Sequence, residues 1–160
     1  MPRRHLSPLA ALLALALAAA PARADDASLP ASVAVPEMKT SIYVGSVTLR
    51  TTAFARAGDL WSATYEAKVF PWAFWSEHGA ITITLPEADL VRLGQGETVN
   101  FTGDATNHKG KPREVTGRAV PADPTTGRIK VRIRVDGVEL VFNGDYTIGP
   151  PADAAAANRR

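Results

Sequence analysis

Residues 127–148 constrain this chain more than any other stretch. Ile129, Val131, Ile133 and Val135 alternate with Arg128, Lys130, Arg132 and Arg134, the period-2 signature of a strand with one face in a core. Asp136-Gly137 follows directly, and Asp-Gly between alternating apolar residues predicts a two-residue hairpin loop. That loop sets a register. Val135 falls opposite Val138, Ile133 opposite Leu140, Val131 opposite Phe142 and Gly127 opposite Tyr146. On the other face Arg134 meets Glu139 and Arg128 meets Asp145, opposite-charge pairs that favour the same register. A slip of one residue would turn every apolar side chain into water. The chain is therefore expected to build an antiparallel sheet with one buried face.

The first 24 residues read as a secretory signal. Arg3 and Arg4 form a basic n-region, Leu9 to Ala20 an apolar h-region, and Ala22-Arg23-Ala24 an A-x-A cleavage site before Asp25. The apolar run is too short and too rich in Ala to read as a membrane span. Arg3-Arg4 is read as ordinary n-region charge, although a twin-arginine signal also begins this way. The expected location is periplasmic or secreted, with no transmembrane segment in the mature chain. Removing the signal takes three arginines from the chain's 18 basic and 16 acidic residues, leaving 15 against 16, a net of −1. The basic balance of the full chain thus gives no argument for nucleic acid. There is no Cys, which excludes disulfides, a thiolate nucleophile and a lipidated N-terminal cysteine. The remaining 136 residues suffice for one domain with its own core.

Along the mature chain, residues 25–40 read as a flexible linker containing Pro30 and Pro36. Residues 41–149 read as the β-domain, and 150–160, with their Ala run, as a disordered tail. Ser41 to Arg56 is rich in Thr, Val, Ile and Tyr and predicts a long strand with Gly45 as a bulge. Trp61, Ala63, Tyr65, Ala67 and Val69 alternate with polar residues and predict a second. Ile81, Ile83 and Leu85 continue the pattern beyond Pro71. Pro86, Glu87, Asp89, Leu90, Leu93 and Gly94 predict one short helix. Glu97 to Ala105 and Arg113 to Val120 predict a further hairpin. An odd-length loop there sets Phe101 against Gly117 and Gly103 against Val115, keeping the apolar faces together, with Gly110 supplying a positive φ. The expected fold is all-β: a single antiparallel meander of about seven strands, forming a small barrel or a two-sheet sandwich.

Two features stand out as candidate sites. Phe70, Trp72, Phe74 and Trp75 are four of the eleven aromatics within six residues. Phe74 and Trp75 are adjacent, so a regular strand cannot turn both to one side. The run reads either as a ligand-binding rim or floor, or as a segment packed over an open barrel end. The second feature is cationic. Eight Lys or Arg between Lys109 and Arg134 face only Glu114 and Asp123, a local net of +6. Arg128, Lys130, Arg132 and Arg134 share one strand face, which reads either as a surface for an anionic lipid or glycan or as a solvated face that discourages edge pairing.

Catalytic signatures are lacking. After the signal only His78 and His108 remain, without metal-ligand spacing, and there is no Gly-x-Ser-x-Gly elbow. Glu77-His78, beside the aromatic run, is the one acid/base pair worth naming. No cofactor or metal site is expected.

Thr102-Gly103-Asp104-x-Thr106-x-His108 followed by Gly110-Lys111-Pro112 resembles the segment Thr-Gly-Asp-Leu-Thr-Ile-His-Gly-x-x-Lys-Pro of the YceI-like periplasmic family. Ile81 to Leu90 sits where that family has a comparable strand. Ala105 and Asn107 stand where that family has apolar residues, Lys109 intrudes, and the spacing from His to Lys-Pro is one residue shorter. The resemblance covers about a tenth of the chain. It implies an exported, lipocalin-like barrel holding a long isoprenoid or other apolar chain. Together these readings predict a non-catalytic exported domain that binds an apolar or amphipathic small molecule in or at the mouth of a barrel. The alternative is a cell-envelope interaction domain using its basic face or a sheet edge.

Overall fold

The computed structural model describes residues 30–149. Residues 1–29 and 150–160, on which the expected signal and tail fall, lie outside the described residues. Ten strands and one α-helix follow in order: β1 (Ser32–Ala34), β2 (Met38–Ile42), β3 (Gly45–Thr51), β4 (Phe54–Ala57), β5 (Leu60–Phe70), β6 (Glu77–Thr84), α1 (Glu87–Gly94), β7 (Val99–Asn107), β8 (Pro112–Pro121), β9 (Thr126–Val135) and β10 (Val138–Gly149). Pairing runs antiparallel from β4 through β5 to β10 in chain order, and β1 joins β10 back to β4. The result is a closed eight-stranded barrel, so the choice between barrel and sandwich falls to the barrel.

β2 and β3 lie outside this ring and account for part of the difference between ten strands and the seven expected. They continue β1 and β4 rather than adding a layer. Val33 opposite Phe54 and Met38 opposite Leu49 belong to one register, and Arg50 bonds Glu37 across the gap between the pieces. The break on one side falls at Pro36, which has no ladder donor. On the other side residues 52–54 face only Ala63 and Thr64 between the pairs Thr51–Tyr65 and Ala55–Ser62, a β-bulge. Thr52 N–H donates to the Thr64 carbonyl at 3.0 Å, and the Thr64 N–H donates to Thr52 Oγ1 at 3.0 Å.

The predicted single strand over Ser41–Arg56 is therefore corrected. The chain reverses at Tyr43-Val44, and Gly45, at φ +150°, begins the return strand against the Phe70 carbonyl, where a Cβ would overlap it. Thr, Val and Ile favour strands without saying where a strand turns back. The linker boundary at residue 40 is corrected too: Ser32–Ala34 closes the ring and Met38 is buried.

The two predicted hairpins adopt the expected registers. Val135 pairs with Val138, Phe142 with Val131, and Tyr146 with Gly127; Asp136 and Gly137 both take positive φ (47° and 88°), as the mirror-image turn requires. Phe101 pairs with Gly117 and Gly103 with Val115. The short helix spans Glu87–Gly94 with Pro86 as its N-cap, and buries Leu90 and Leu93. It caps one end of the barrel. The inward residues of every strand form one core, with Phe142, Val99 and Val115 the most deeply buried.

Candidate functional site

The barrel has two unlike ends. At the helix end lie α1, the Gly58-Asp59 turn, and the first and last described residues. At the other end all four connections are turns: β2–β3, β5–β6, β7–β8 and β9–β10. Between the ends the interior holds two cavities.

The first, of about 90 Å³, lies under the helix, lined by apolar residues that include Val35, Phe54, Trp61, Leu90, Leu93 and Phe101. Trp61 and Thr51 are among its lining residues, and their Nε1 and Oγ1 atoms are buried without a hydrogen-bond partner among the described residues. The Arg56 guanidinium sits 6.0 Å from the Trp61 ring centroid and 3.7 Å from Glu87 at the start of α1, tying cap to wall. The second cavity, of about 70 Å³, lies toward the turn end among Val47, Ala67, Val69, Trp75, Val135 and Leu140. Leu49 and Ile81 line both, so the two cavities lie back to back within one barrel.

A buried polar network stands beside the second cavity. Glu77 Oε1 accepts from Tyr65 Oη at 3.0 Å and Arg113 Nε at 3.2 Å. Its Oε2 accepts from Asn107 Nδ2 at 2.8 Å and Arg113 Nη2 at 3.0 Å. Arg113, its side chain 6% exposed, also reaches Asp136 at 3.2 Å. Burial alone would raise the Glu77 carboxyl, but the hydrogen bonds from Arg113, Asn107 and Tyr65 outweigh it and hold the group below its ordinary value. Burial, and then the charge of Glu77, push the Tyr65 hydroxyl up. With four donors on its two oxygens, Glu77 is a fixed anchor rather than a free base. His78 points outward instead, its ring stacked on His108 at 4.5 Å and 9°. The Glu77-His78 pair named from the sequence is thus split across the barrel wall.

The aromatic run crosses the turn end. A 3-10 turn over Ala73–Trp75 replaces the strand, which resolves how Phe74 and Trp75 can be neighbours. Trp75 packs against Trp72 (5.1 Å) and edge-on against Phe74 (5.2 Å). Phe70 and Phe74 are exposed, Trp72 is half-buried, and Trp75, though 57% exposed, touches the second cavity. None of the four is core. Tyr43 and Val44 stand exposed on the neighbouring turn, and Val138 on the hairpin beyond.

Arg128, Lys130, Arg132 and Arg134 all lie on the outer surface of β9. Arg134 faces Glu139 in register but bonds Glu114 of β8 at 3.0 Å, while Arg132 takes Glu139 at 3.4 Å. Arg118, on β8 opposite Lys130, joins Arg128, Lys130 and Arg132 in walling an outer groove of about 610 Å³ floored by Asn100, Thr102 and Thr116. Sequence reasoning counted Arg118 and Arg113 in the cationic stretch but placed neither the first beside Lys130 nor the second against Glu77. The register of the β7–β8 hairpin already turned Arg118 outward, but the β8–β9 pairing that brings it beside Lys130 has no local signal.

The fold and these features define a closed antiparallel β-barrel whose subdivided interior is apolar under the helix and carries a buried polar network toward the turn end. Comparison with protein-family models, with curated proteins and with solved structures gave no match.

Proposed function

We propose that the protein is a non-catalytic carrier that acts after export and holds an apolar or amphipathic small molecule inside the barrel. The observation that carries this reading is the pair of apolar cavities meeting at Leu49 and Ile81. An eight-stranded barrel has an interior that side chains just fill or that holds one small ligand. Here they do not fill it. A void of 90 Å³ costs about 2 kcal/mol when empty, and the unpaired Trp61 Nε1 and Thr51 Oγ1 add the cost of unmet hydrogen bonds. An apolar occupant would relieve the first of these costs. At about 10–15 Å³ for each water-sized occupant, the two cavities together accept on the order of ten heavy atoms. That is a medium chain rather than a long one. The resemblance of residues 102–112 to YceI-like proteins supports a carried apolar chain, and the cavity volume favours a shorter chain than that family's isoprenoids.

Native mass spectrometry of the mature protein, purified gently from its producing cells, tests this. A discrete added mass lost on organic extraction supports the reading. A bare protein mass, with no change in Trp fluorescence on adding medium-chain fatty acids or alcohols, overturns it.

A second reading has its own observation. Arg118, Arg128 and Lys130 in the outer groove make no ion pair among the described residues, which suits an anionic polymer such as a charged glycan. Binding there collapses as salt screens the charges, whereas a ligand held in the interior survives high salt.

A further inference from the structure

We infer that the turn end of the barrel docks on a lipid bilayer bearing anionic headgroups. Six large apolar side chains are exposed around this end: Tyr43, Val44, Phe70, Phe74, Trp75 and Val138. They come from three of its four turns. The fourth, β7–β8, carries the exposed Lys109 and Lys111, and His108 N–H donates to the His78 carbonyl at 2.7 Å, bringing that turn beside the aromatic run. Aromatic rings beside lysines suit the membrane–water boundary, where the ring enters the headgroup layer and the ammonium meets phosphate.

The charges sort in the same direction. Five carboxylates near this end share four cations: Glu77 and Asp136 on Arg113, Glu66 on Lys68, Glu114 on Arg134 and Glu139 on Arg132; Asp104, level with Glu114, makes no ion pair among the described residues. Lys109 and Lys111 have no carboxylate within ion-pair distance among the described residues. Their charge is left to an external anion. The apolar groups stand on separate turn tips around the barrel end, and a plane meets such a ring at once where a globular partner would meet only part of it. Docking stands on this surface alone. Its corollary, that ligand passes between the bilayer and the cavity beneath Trp75, rests on the carrier reading.

The test is co-sedimentation of the mature protein with vesicles of phosphatidylcholine alone and of phosphatidylcholine mixed with phosphatidylglycerol, with chain-brominated lipids as quenchers of Trp fluorescence. The protein is expected to pellet with the mixed vesicles and to be quenched by them. Tyr43→Ser with Phe74→Ser changes two exposed residues and is expected to weaken partitioning about tenfold. Lys109→Gln and Lys111→Gln are expected to weaken binding to the mixed vesicles alone, by roughly fivefold each. Protein left in the supernatant with both vesicle types overturns the inference. So does a Tyr43/Phe74 variant that pellets like the parent, or lipid-free self-association abolished by that variant, which would assign the surface to a second copy. A carried mass without vesicle binding defeats docking and leaves the carrier reading intact, and the converse also holds.

Discussion

Arg113 of β8 and Glu77 of β6 meet inside the barrel across the intervening strand β7, with Nη2 3.0 Å from Oε2 and Nε 3.2 Å from Oε1. A bidentate pair of this kind is costly to break on one side only, because the survivor is left buried and unpaired. Arg113→Met is expected to lower unfolding free energy by about 3–5 kcal/mol in urea titration. Glu77→Leu combined with Arg113→Met should cost less than the two single changes added together. Additive costs would show that the pair is not coupled.

The same pair sets an acid limit. Glu77 has a folded value below its unfolded one, so its contribution is fully present above about pH 4.3. It is lost as pH falls through the lower folded value. Asp123, held at about 2 by Thr126 and Thr125, shifts in the same sense and extends the loss to lower pH. Stability measured from pH 7 to pH 3 should be flat and then fall below about pH 4.3. Glu77→Gln should start lower and fall less steeply.

Gly117 lies under the Phe101 ring, and a Cβ there would overlap it. Gly117→Ala is expected to cost about 1–3 kcal/mol, read as a lowered melting temperature. An unchanged melting temperature would mean that the Phe101 ring has room to move into the first cavity.

Thr51→Val removes a buried, unpaired hydroxyl at little change in volume. The ligand-free protein should gain about 1 kcal/mol. Occupancy should stay as in the parent, because the surface of the first cavity is apolar; a variant no more stable than the parent would show that the hydroxyl is satisfied. Ala119→Val, at the same cavity, should reduce occupancy by volume alone.

Much of the barrel was legible because its hairpins carry local signals. Asp136-Gly137 set the β9–β10 register, and Phe101 against Gly117 set β7–β8. The reversal at Tyr43-Val44 was not legible, since neither residue is a turn former and Gly45 acts through its close approach to Phe70, a contact distant in sequence. The closing strand Ser32–Ala34 was missed for a related reason. Three residues between prolines show no periodicity, and their pairing with Thr147–Gly149 spans nearly the whole domain. The site divides likewise. The composition of Phe70–Trp75 marked it as unusual, but its exposure follows from the 3-10 turn. Glu77 and Arg113 are 36 residues apart, and each alone reads as a surface charge.

Ser32 is the ladder partner of Gly149, so the chain enters and leaves the barrel at neighbouring points on the end opposite Tyr43 and Phe74. A short peptide joining those points, with the chain reopened at Asp136-Gly137, would give a circular permutant with every strand neighbour unchanged. Immobilising the native order of strands through either terminus would in turn present the aromatic turns outward, the orientation a biosensor surface requires.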